Sequence, residues 1–165
     1  MKKKQFKIRP MFSDDWDAVG RIYKEGIATG FATFETEVPT WEVWDQKHLN
    51  FGRLVATHEN EIVGWIALSP VSHRVVYRGV AELSIYIANK WRSNGIGQYL
   101  LETLIPMAEE KGFWTLQSAV FPENLASIQL HLRNGFRKIG FRERIAQLNG
   151  QWKDNILLER RSSTI

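Results

Sequence analysis

Arg92-Ser93-Asn94-Gly95-Ile96-Gly97 is the stretch that decides the fold, because two glycines coincide there with a change of periodicity. A β-rich run over 80–88 precedes it, and apolar residues at helical spacing follow it over 96–108. Glycine lets the backbone approach a ligand closely. The free N–H groups of a helix's first turn and the positive end of its dipole favour an anion. The stretch predicts a strand-to-helix loop that fits a pyrophosphate, and a plain glycine-rich turn is the alternative.

Two better-known phosphate motifs are absent. The GxxxxGK[ST] pattern does not occur, and G-x-G-x-x-G would need a glycine where Leu100 stands. Lys90 and Arg92 add positive charge beside the loop. The chain carries 22 Lys and Arg against 18 Asp and Glu, a formal net charge of +4, which fits either an anionic partner or an ordinary polar surface.

Composition limits the class of protein. A length of 165 residues with 44% hydrophobic residues predicts one domain over 1–165. No apolar run is long enough to span a membrane, and the basic start 1–5 lacks the apolar segment of a secretory signal, so we expect a cytoplasmic protein. The absence of cysteine excludes disulfides, thiolate metal sites and an acyl-cysteine intermediate. The four histidines lack zinc-like spacing, and we expect no metal.

The periodicities along the chain predict the order β-α-α-β-β-β-α-β-α-β-β, an α+β or mixed α/β layer fold. We expect the first helix to end between Gly26 and Gly30 and the second, capped by Thr40, to include Leu49. The predicted strands are 6–9, 54–58, 62–68, 80–88, 114–121, 136–148 and 152–159, and the last two helices are 95–111 and 125–133.

Other segments stand at fixed distances from the loop. Glu82-Leu83-Ser84-Ile85-Tyr86-Ile87 precedes it, and Pro122-Glu123-Asn124-Leu125-Ala126-Ser127 and Gly135-Phe136 follow it. With them, the loop resembles [Q/R]-x-x-G-x-[G/A] of the GNAT superfamily of acetyl-CoA-dependent N-acetyltransferases. The resemblance covers essentially the whole chain. It implies the GNAT acyl-CoA N-acyltransferase fold, with a central, mostly antiparallel twisted sheet and helices on both faces, and acetyl-CoA as co-substrate.

A subgroup resemblance is closer still. It rests on Phe34-Glu35-Thr36 with Pro39-Thr40, Arg74…Tyr77-Arg78, Glu82-x-Ser84-x-Tyr86, Leu130-His131 and Gly150-x-Trp152-x-Asp154, which look like the phosphinothricin-type acetyltransferases. That subgroup acetylates the amino group of small amino-acid-like substrates, including phosphinothricin and methionine sulfoximine. It also forms homodimers whose interface borders the substrate site.

The resemblance implies two catalytic residues. Glu82, in an otherwise mostly apolar strand, is the candidate base for the amine proton, and an edge-strand surface residue is the alternative. His131 stands where many family members carry a tyrosine that protonates the departing thiolate. An imidazole can supply that proton, although a structural helix histidine is the alternative. Without a cysteine, acetyl would pass directly from CoA to the amine in a ternary complex.

The implied binding residues form two groups. For the cofactor, strand backbone would pair with the pantetheine arm, the Ile85 N–H would face the thioester oxygen, and Asn124 would bind pantetheine or cap a helix. The full cofactor set is Ile85, Tyr86, Ile87, Arg92, Ser93, Asn94, Gly95, Ile96, Gly97, Gln98 and Asn124. For the substrate, Arg74 and Arg78, with Tyr77 between them, suit a carboxylate or phosphinate, or form a solvated loop. Phe34 and Trp152 would line the pocket, or would instead pack in the core or at a dimer contact.

Two other functions compete with acetylation of a small-molecule amine. One is acetylation of protein N-termini or lysines, against which Arg74 and Arg78 argue. The other is nucleic-acid binding, which needs clustered basic residues interleaved with exposed aromatics. The basic runs 133–138 and 142–144 alternate like the solvent face of a strand. We therefore expect no nucleic-acid and no membrane partner.

Overall fold

The computed structural model describes residues 6–165, and the basic start of the chain lies outside them. The predicted order of strands and helices is confirmed. The strands are β1 (Phe6–Pro10), β2 (Leu54–His58), β3 (Glu61–Pro70), β4 (Val80–Ile87), β5 (Thr115–Val120), β6 (Arg137–Leu148) and β7 (Gln151–Arg161). The helices are α1 (Trp16–Ala28), α2 (Trp41–Lys47), α3 (Ile96–Glu110) and α4 (Leu125–Arg133), and short 3-10 turns connect several elements.

The strands form one sheet in the order β1-β2-β3-β4-β5-β7-β6. Among the strands described, only β4 and β5 run parallel, and every other neighbouring pair is antiparallel. Alternate residues of β3 face opposite sides, as strand geometry requires. Trp65 packs in one cluster with Val19 of α1 and Trp44 of α2, and Ile66 packs in another with Leu100 of α3. The mostly antiparallel sheet with helices on both faces is thus confirmed.

The sheet opens between β4 and β5. These strands pair only from Val80 with Thr115 to Glu82 with Gln117. Beyond that register β4 continues to Ile87 and β5 to Val120 without pairing to each other. The result is a wedge-shaped gap at the middle of the sheet.

The first helix ends between Gly26 and Gly30 as predicted, since α1 ends at Ala28 and Gly30 follows it with a φ of 74°. Gly26 is buried inside the helix, where a Cβ would lie 2.6 Å from Cδ1 of Tyr86. Its glycine therefore serves close packing of a ring, not termination. The prediction that the second helix includes Leu49 was wrong, because α2 ends at Lys47 and the Leu49 N–H donates to the Leu68 carbonyl at 2.8 Å.

A long hairpin of β6 and β7 closes the chain. Its turn residues Asn149 and Gly150 both have positive φ, 50° and 76°, as a two-residue hairpin turn of this kind requires. Phe141 and Trp152 on this hairpin are 60% and 58% exposed. In the part of the chain described, the helices are all too short or too polar to cross a membrane.

Candidate active site

A cavity of about 1180 Å³ occupies the gap between β4 and β5. Five parts of the chain meet around it: the segment 29–35, the outer half of β4, the start of α3, the end of β5 and the face of α4. The predicted site residues that line it are Phe34, Glu82, Ile85, Tyr86, Ile87, Arg92, Ser93, Gly95, Ile96, Gly97, Gln98, Asn124 and His131.

The loop that begins at Arg92 closes one end of this cavity. Ser93 and Gly95 adopt positive φ, 61° and 80°, and Gly95 immediately precedes α3. A Cβ on Gly97 would lie 2.9 Å from Leu130, so its glycine lets α3 approach α4. The free N–H groups of the first turn of α3 thus lie beside the cavity, as an anion site requires.

Asn94 does not line the cavity, contrary to prediction. Its side-chain amide donates to the carbonyl oxygens of Trp91 and Arg92 at 3.1 and 2.9 Å. The side-chain amide of Asn94 therefore stabilises the loop by bonding to its own turn.

Lys90 also lies away from the site, although its charge was expected beside the loop. Its Nζ is 2.7 Å from Oε1 of Glu61, and it lines a separate groove between α1 and the β2–β3 turn. Arg133, which the sequence analysis did not select, lines the cavity together with Arg92. The sequence predicts its position at the end of the helix over 125–133, but nothing in its local pattern distinguishes it from a surface arginine.

Gln98 faces the cavity but is already paired. It exchanges two amide hydrogen bonds with Asn134, of 3.1 and 2.8 Å, and Asn134 also donates to the Leu130 carbonyl at 2.8 Å. This pair joins the first turn of α3 to the end of α4 and fixes the spacing of the two helices.

The backbone of β4 directs alternate residues into the gap. The Ala88 N–H donates to the Val63 carbonyl at 2.9 Å, so every second residue back from Ala88 directs its backbone groups toward β3. Ile85 and Ile87 therefore direct theirs toward the side from which β5 has diverged. Tyr86 differs from the prediction, because its backbone N–H and C=O point toward β3. Only its side chain lines the cavity.

Tyr86 is tightly held. Its ring stacks on Trp65 with centroids 4.8 Å apart, lies 4.9 Å from the ring of Tyr23, and packs against Gly26. The hydroxyls of Tyr23 and Tyr86 interact with Thr33. Burial raises the pKa of both phenols, and the contact with Thr33 opposes this in part. Both tyrosines are therefore neutral hydroxyls at physiological pH.

Glu82 is half-buried at the point where β4 and β5 separate. Its Oε2 accepts a hydrogen bond of 2.9 Å from Nε2 of Gln117 on β5, and its side chain lines the cavity. The carboxylate is thus fixed on one side and open to the cavity on the other.

His131 lies across the gap on α4 and is 1% exposed. Its Nδ1 is 2.7 Å from the Ser127 carbonyl oxygen, and its ring meets that of Phe136 edge-on at 5.0 Å. Burial lowers the pKa of His131, and the Ser127 contact opposes this only in part. Nε2 is buried without a hydrogen-bond partner among the described residues.

Asn124 caps α4, because its Oδ1 accepts from the Ser127 N–H at 3.3 Å. It also lines the cavity, so the two predictions for this residue are compatible.

The segment 29–35 forms the other end of the cavity. Phe34 packs edge-on against Phe121 at 4.7 Å and walls the cavity, as predicted. Thr33 and Glu35 also line it, and they were missed as individual residues. The Phe34-Glu35-Thr36 motif was the only signal for them.

Arg74, Tyr77 and Arg78 are not brought to the cavity, contrary to prediction. All three are exposed, on or beside a 3-10 turn over Val75–Tyr77. Arg74 lies over the Tyr77 ring, and Arg78 over the ring of Trp114. Trp152, on the far hairpin, is also outside the cavity.

Three comparisons with known proteins agree with this geometry. The sequence profile of the acetyltransferase (GNAT) family matches residues 16–136. The chain is 32% identical to the phosphinothricin N-acetyltransferase of Alcaligenes faecalis over 160 residues, 93% of this chain and 81% of that protein.

Solved structures extend the likeness to the fold. A GNAT superfamily phosphinothricin acetyltransferase from Sinorhizobium meliloti, in complex with AcCoA, superposes with a TM-score of 0.86 at 26% identity, covering 94% of this chain and 88% of that one. The ribosomal-protein-alanine N-acetyltransferase from Brucella melitensis gives a TM-score of 0.87 at 29% identity, covering 94% and 99%.

Proposed function

The chain belongs to the GNAT acetyltransferase family and is an acetyl-CoA-dependent N-acetyltransferase, and from this premise we propose its acceptor and mechanism. The acceptor is the primary amino group of a small amino-acid-like molecule of the phosphinothricin or methionine sulfoximine type. The observation that carries the proposal is the gap between β4 and β5, with Glu82 on one wall and the loop from Arg92 at one end.

Acetyl-CoA lies in this gap. Its pyrophosphate binds the N–H groups at the start of α3 beside Arg92, and its pantetheine arm pairs with the backbone that β4 directs away from β3. The Ile85 N–H then donates to the thioester oxygen, where negative charge develops during attack. Asn124 adds a hydrogen bond to the arm from the α4 side.

Glu82 removes a proton from the acceptor ammonium, directly or through water, and the amine attacks the thioester in the ternary complex. Holding the amine and thioester together supplies up to about 7–11 kcal/mol of the barrier reduction. The base contributes about 10²–10⁴-fold. The chain has no cysteine to carry the acetyl group, which favours direct transfer.

We also propose that the whole chain acts as one catalytic domain in the cytoplasm and as a homodimer. The exposed Phe141 and Trp152 of the β6–β7 hairpin support the dimer, because aromatic side chains are enriched at protein–protein interfaces. Light scattering coupled to size exclusion should give twice the 19.2 kDa chain mass. A Phe141→Asp, Trp152→Asp double variant should give the monomer.

The acceptor is tested by following free thiol release from acetyl-CoA across amino acids and glutamine analogues. We expect release with phosphinothricin and methionine sulfoximine, and little with the corresponding N-methylated compounds. Absence of release with any small amine contradicts the proposed acceptor.

A second candidate is acetylation of protein N-termini, favoured by the likeness to the ribosomal-protein-alanine enzyme. Peptides with free N-terminal alanine, included in the same panel, discriminate between the two. Transfer to peptides without transfer to small amino acids supports this second function.

A further inference from the structure

Glu82 is the last residue of β4 that has a paired strand on each side. It pairs with Ser69 of β3 and with Gln117 of β5. The pairing of β4 with β5 ends at this residue, where the gap opens. The backbone of Glu82 is therefore held from both sides, although its side chain borders an open cavity.

The side chain of Gln117 reaches across this last pair. Its Nε2 donates to Oε2 of Glu82 at 2.9 Å. An ionised carboxylate only accepts hydrogen bonds, so the nitrogen of the amide, and not its oxygen, must face Glu82. Among the described residues, Oε1 of Glu82 accepts no hydrogen bond. The two carboxylate oxygens thus differ, because one is engaged and the other is free to take a proton.

Gln117 does not itself line the cavity, whereas Glu82 and the next residues of β5, 118–120, do. Gln117 can therefore act on the reaction only through Glu82. Its other paired neighbour is Glu159 of β7, whose carboxylate accepts from Nη2 of Arg137 at 2.9 Å. Because a charged donor binds a carboxylate more strongly than an amide does, Arg137 satisfies Glu159 and leaves the amide to Glu82.

A neutral amide is the appropriate donor beside a base. A lysine or arginine at position 117 could also donate, but its positive charge would favour the ionised carboxylate and so oppose the transfer of a proton to Glu82. A base must lie within hydrogen-bond reach of the proton that it takes. A misplacement of about 1 Å can cost about 100-fold in rate, so a carboxylate with one fixed oxygen is an advantage.

We propose that Gln117 is a positioning residue: it holds Oε2 of Glu82, so that Oε1 is the atom that takes the proton from the acceptor ammonium. The N–H bond breaks, its electron pair stays on nitrogen for attack on the thioester, and Oε1 carries the proton until it passes to solvent. This role of Gln117 rests on the proposed role of Glu82 as the base.

The first test detects the hydrogen bond without any acceptor. In ¹⁵N-labelled protein, we expect one side-chain amide proton of Gln117 to be shifted downfield, because it is bonded to a carboxylate. Glu82→Ala should move this signal upfield, and Glu61→Gln, in the separate groove, should leave it in place. A Gln117 amide signal that Glu82→Ala does not move overturns the proposal.

The second test is kinetic and uses Gln117→Met, which keeps the length of the side chain and removes the donor. We expect kcat to fall about 10- to 100-fold and the KM of acetyl-CoA to stay unchanged, since Gln117 does not border the cavity. Thr115→Val, two residues earlier on β5 and also outside the cavity, should keep the wild-type kcat. Folded Gln117→Met protein with the wild-type kcat overturns the proposal.

A double variant separates positioning from a general loss of structure. In the Glu82→Gln background the base is absent, so Gln117→Met should change the residual kcat by less than about twofold, whereas independent effects would add. An equal fall in kcat in both backgrounds would mean that Gln117 acts other than through Glu82, and it overturns the proposal.

Failure of the positioning and failure of the proposed function give different results. If Glu82→Gln is slow and Gln117→Met is not, only the positioning fails. If Glu82→Gln itself keeps the wild-type kcat, the base role fails, and the role of Gln117 fails with it. The amide spectrum needs no acceptor, so a panel without any acetylated small amine contradicts the proposed acceptor alone.

Discussion

Among the side chains described, the Gln117 amide alone bonds to the Glu82 carboxylate. This hydrogen bond is 2.9 Å long and lies where β4 and β5 begin to separate. Replacement by glutamine keeps the shape and an amide that can pair with Gln117, so the protein should fold. We expect Glu82→Gln to lower kcat about 10²–10⁴-fold at neutral pH and less at high pH, where solution hydroxide deprotonates the amine. Steady-state rates between pH 6 and pH 10 measure this. Glu61→Gln, in the separate groove, is the matched control, and equal rates for the two variants would remove Glu82 from the base role.

A second prediction for a single residue concerns Gly26, whose replacement should affect both stability and acetyl-CoA binding. A Cβ there would lie 2.6 Å from a Tyr86 ring that is also stacked on Trp65. Gly26→Ala should therefore lower the free energy of unfolding by about 1–3 kcal/mol and raise the KM of acetyl-CoA, because Tyr86 must shift into the cavity. Urea denaturation and KM measure the two effects.

Gly20 is the control for that change, since it lies in the same helix and a Cβ there would be 3.4 Å from Val38. Gly20→Ala should be neutral or stabilising by up to about 1 kcal/mol, as helix propensity alone gives. Destabilisation of equal size in both variants would mean that the Tyr86 contact is not the cause.

Among the secondary-structure elements, the two ends of α3 offer a matched pair of glycines. Gly95 before the helix and Gly112 after it have φ of 80° and 84°, and neither has an atom within 4 Å of an added Cβ. Alanine at either position costs about 1–2 kcal/mol of left-handed strain. We expect similar losses of Tm, but only Gly95→Ala should raise the KM of acetyl-CoA, by about tenfold, because only that end faces the cavity. Equal KM values would place the pyrophosphate elsewhere.

The same elements show what sequence can and cannot predict. The loop from Arg92, the glycines and the apolar periodicity of α3 are local signals, and the residues they single out border one end of the cavity. The packing role of Gly26 and the ion pair of Lys90 were not predicted, because Tyr86 and Glu61, which decide their environments, are distant in sequence. Arg74 and Arg78 have the right chemistry for an anionic acceptor, but the turn over Val75–Tyr77 holds them on the surface.

For the whole molecule, ligand binding should raise stability by mass action. A ligand at about 100 times its Kd adds about 2.7 kcal/mol, so CoA should raise Tm by several degrees. DNA and RNA oligonucleotides should leave Tm unchanged, because the helix start that suits an anion lies beside the cavity and not on the basic face of the hairpin. Thermal unfolding followed by fluorescence measures both, and a nucleic-acid shift as large as that of CoA would contradict the assignment.

The gap between β4 and β5 bears on the tendency of the protein to aggregate. Where the two strands diverge, each presents unpaired backbone groups, and such edges are templates for pairing with another extended chain. Edge strands are normally protected at the rim of a sheet, but here two edges lie at its centre. In the binding mode proposed above, the pantetheine arm covers these edges in the manner of a removable strand. Depletion of acetyl-CoA would expose these edges, so the aggregation rate of the enzyme should follow the metabolic supply of its own co-substrate.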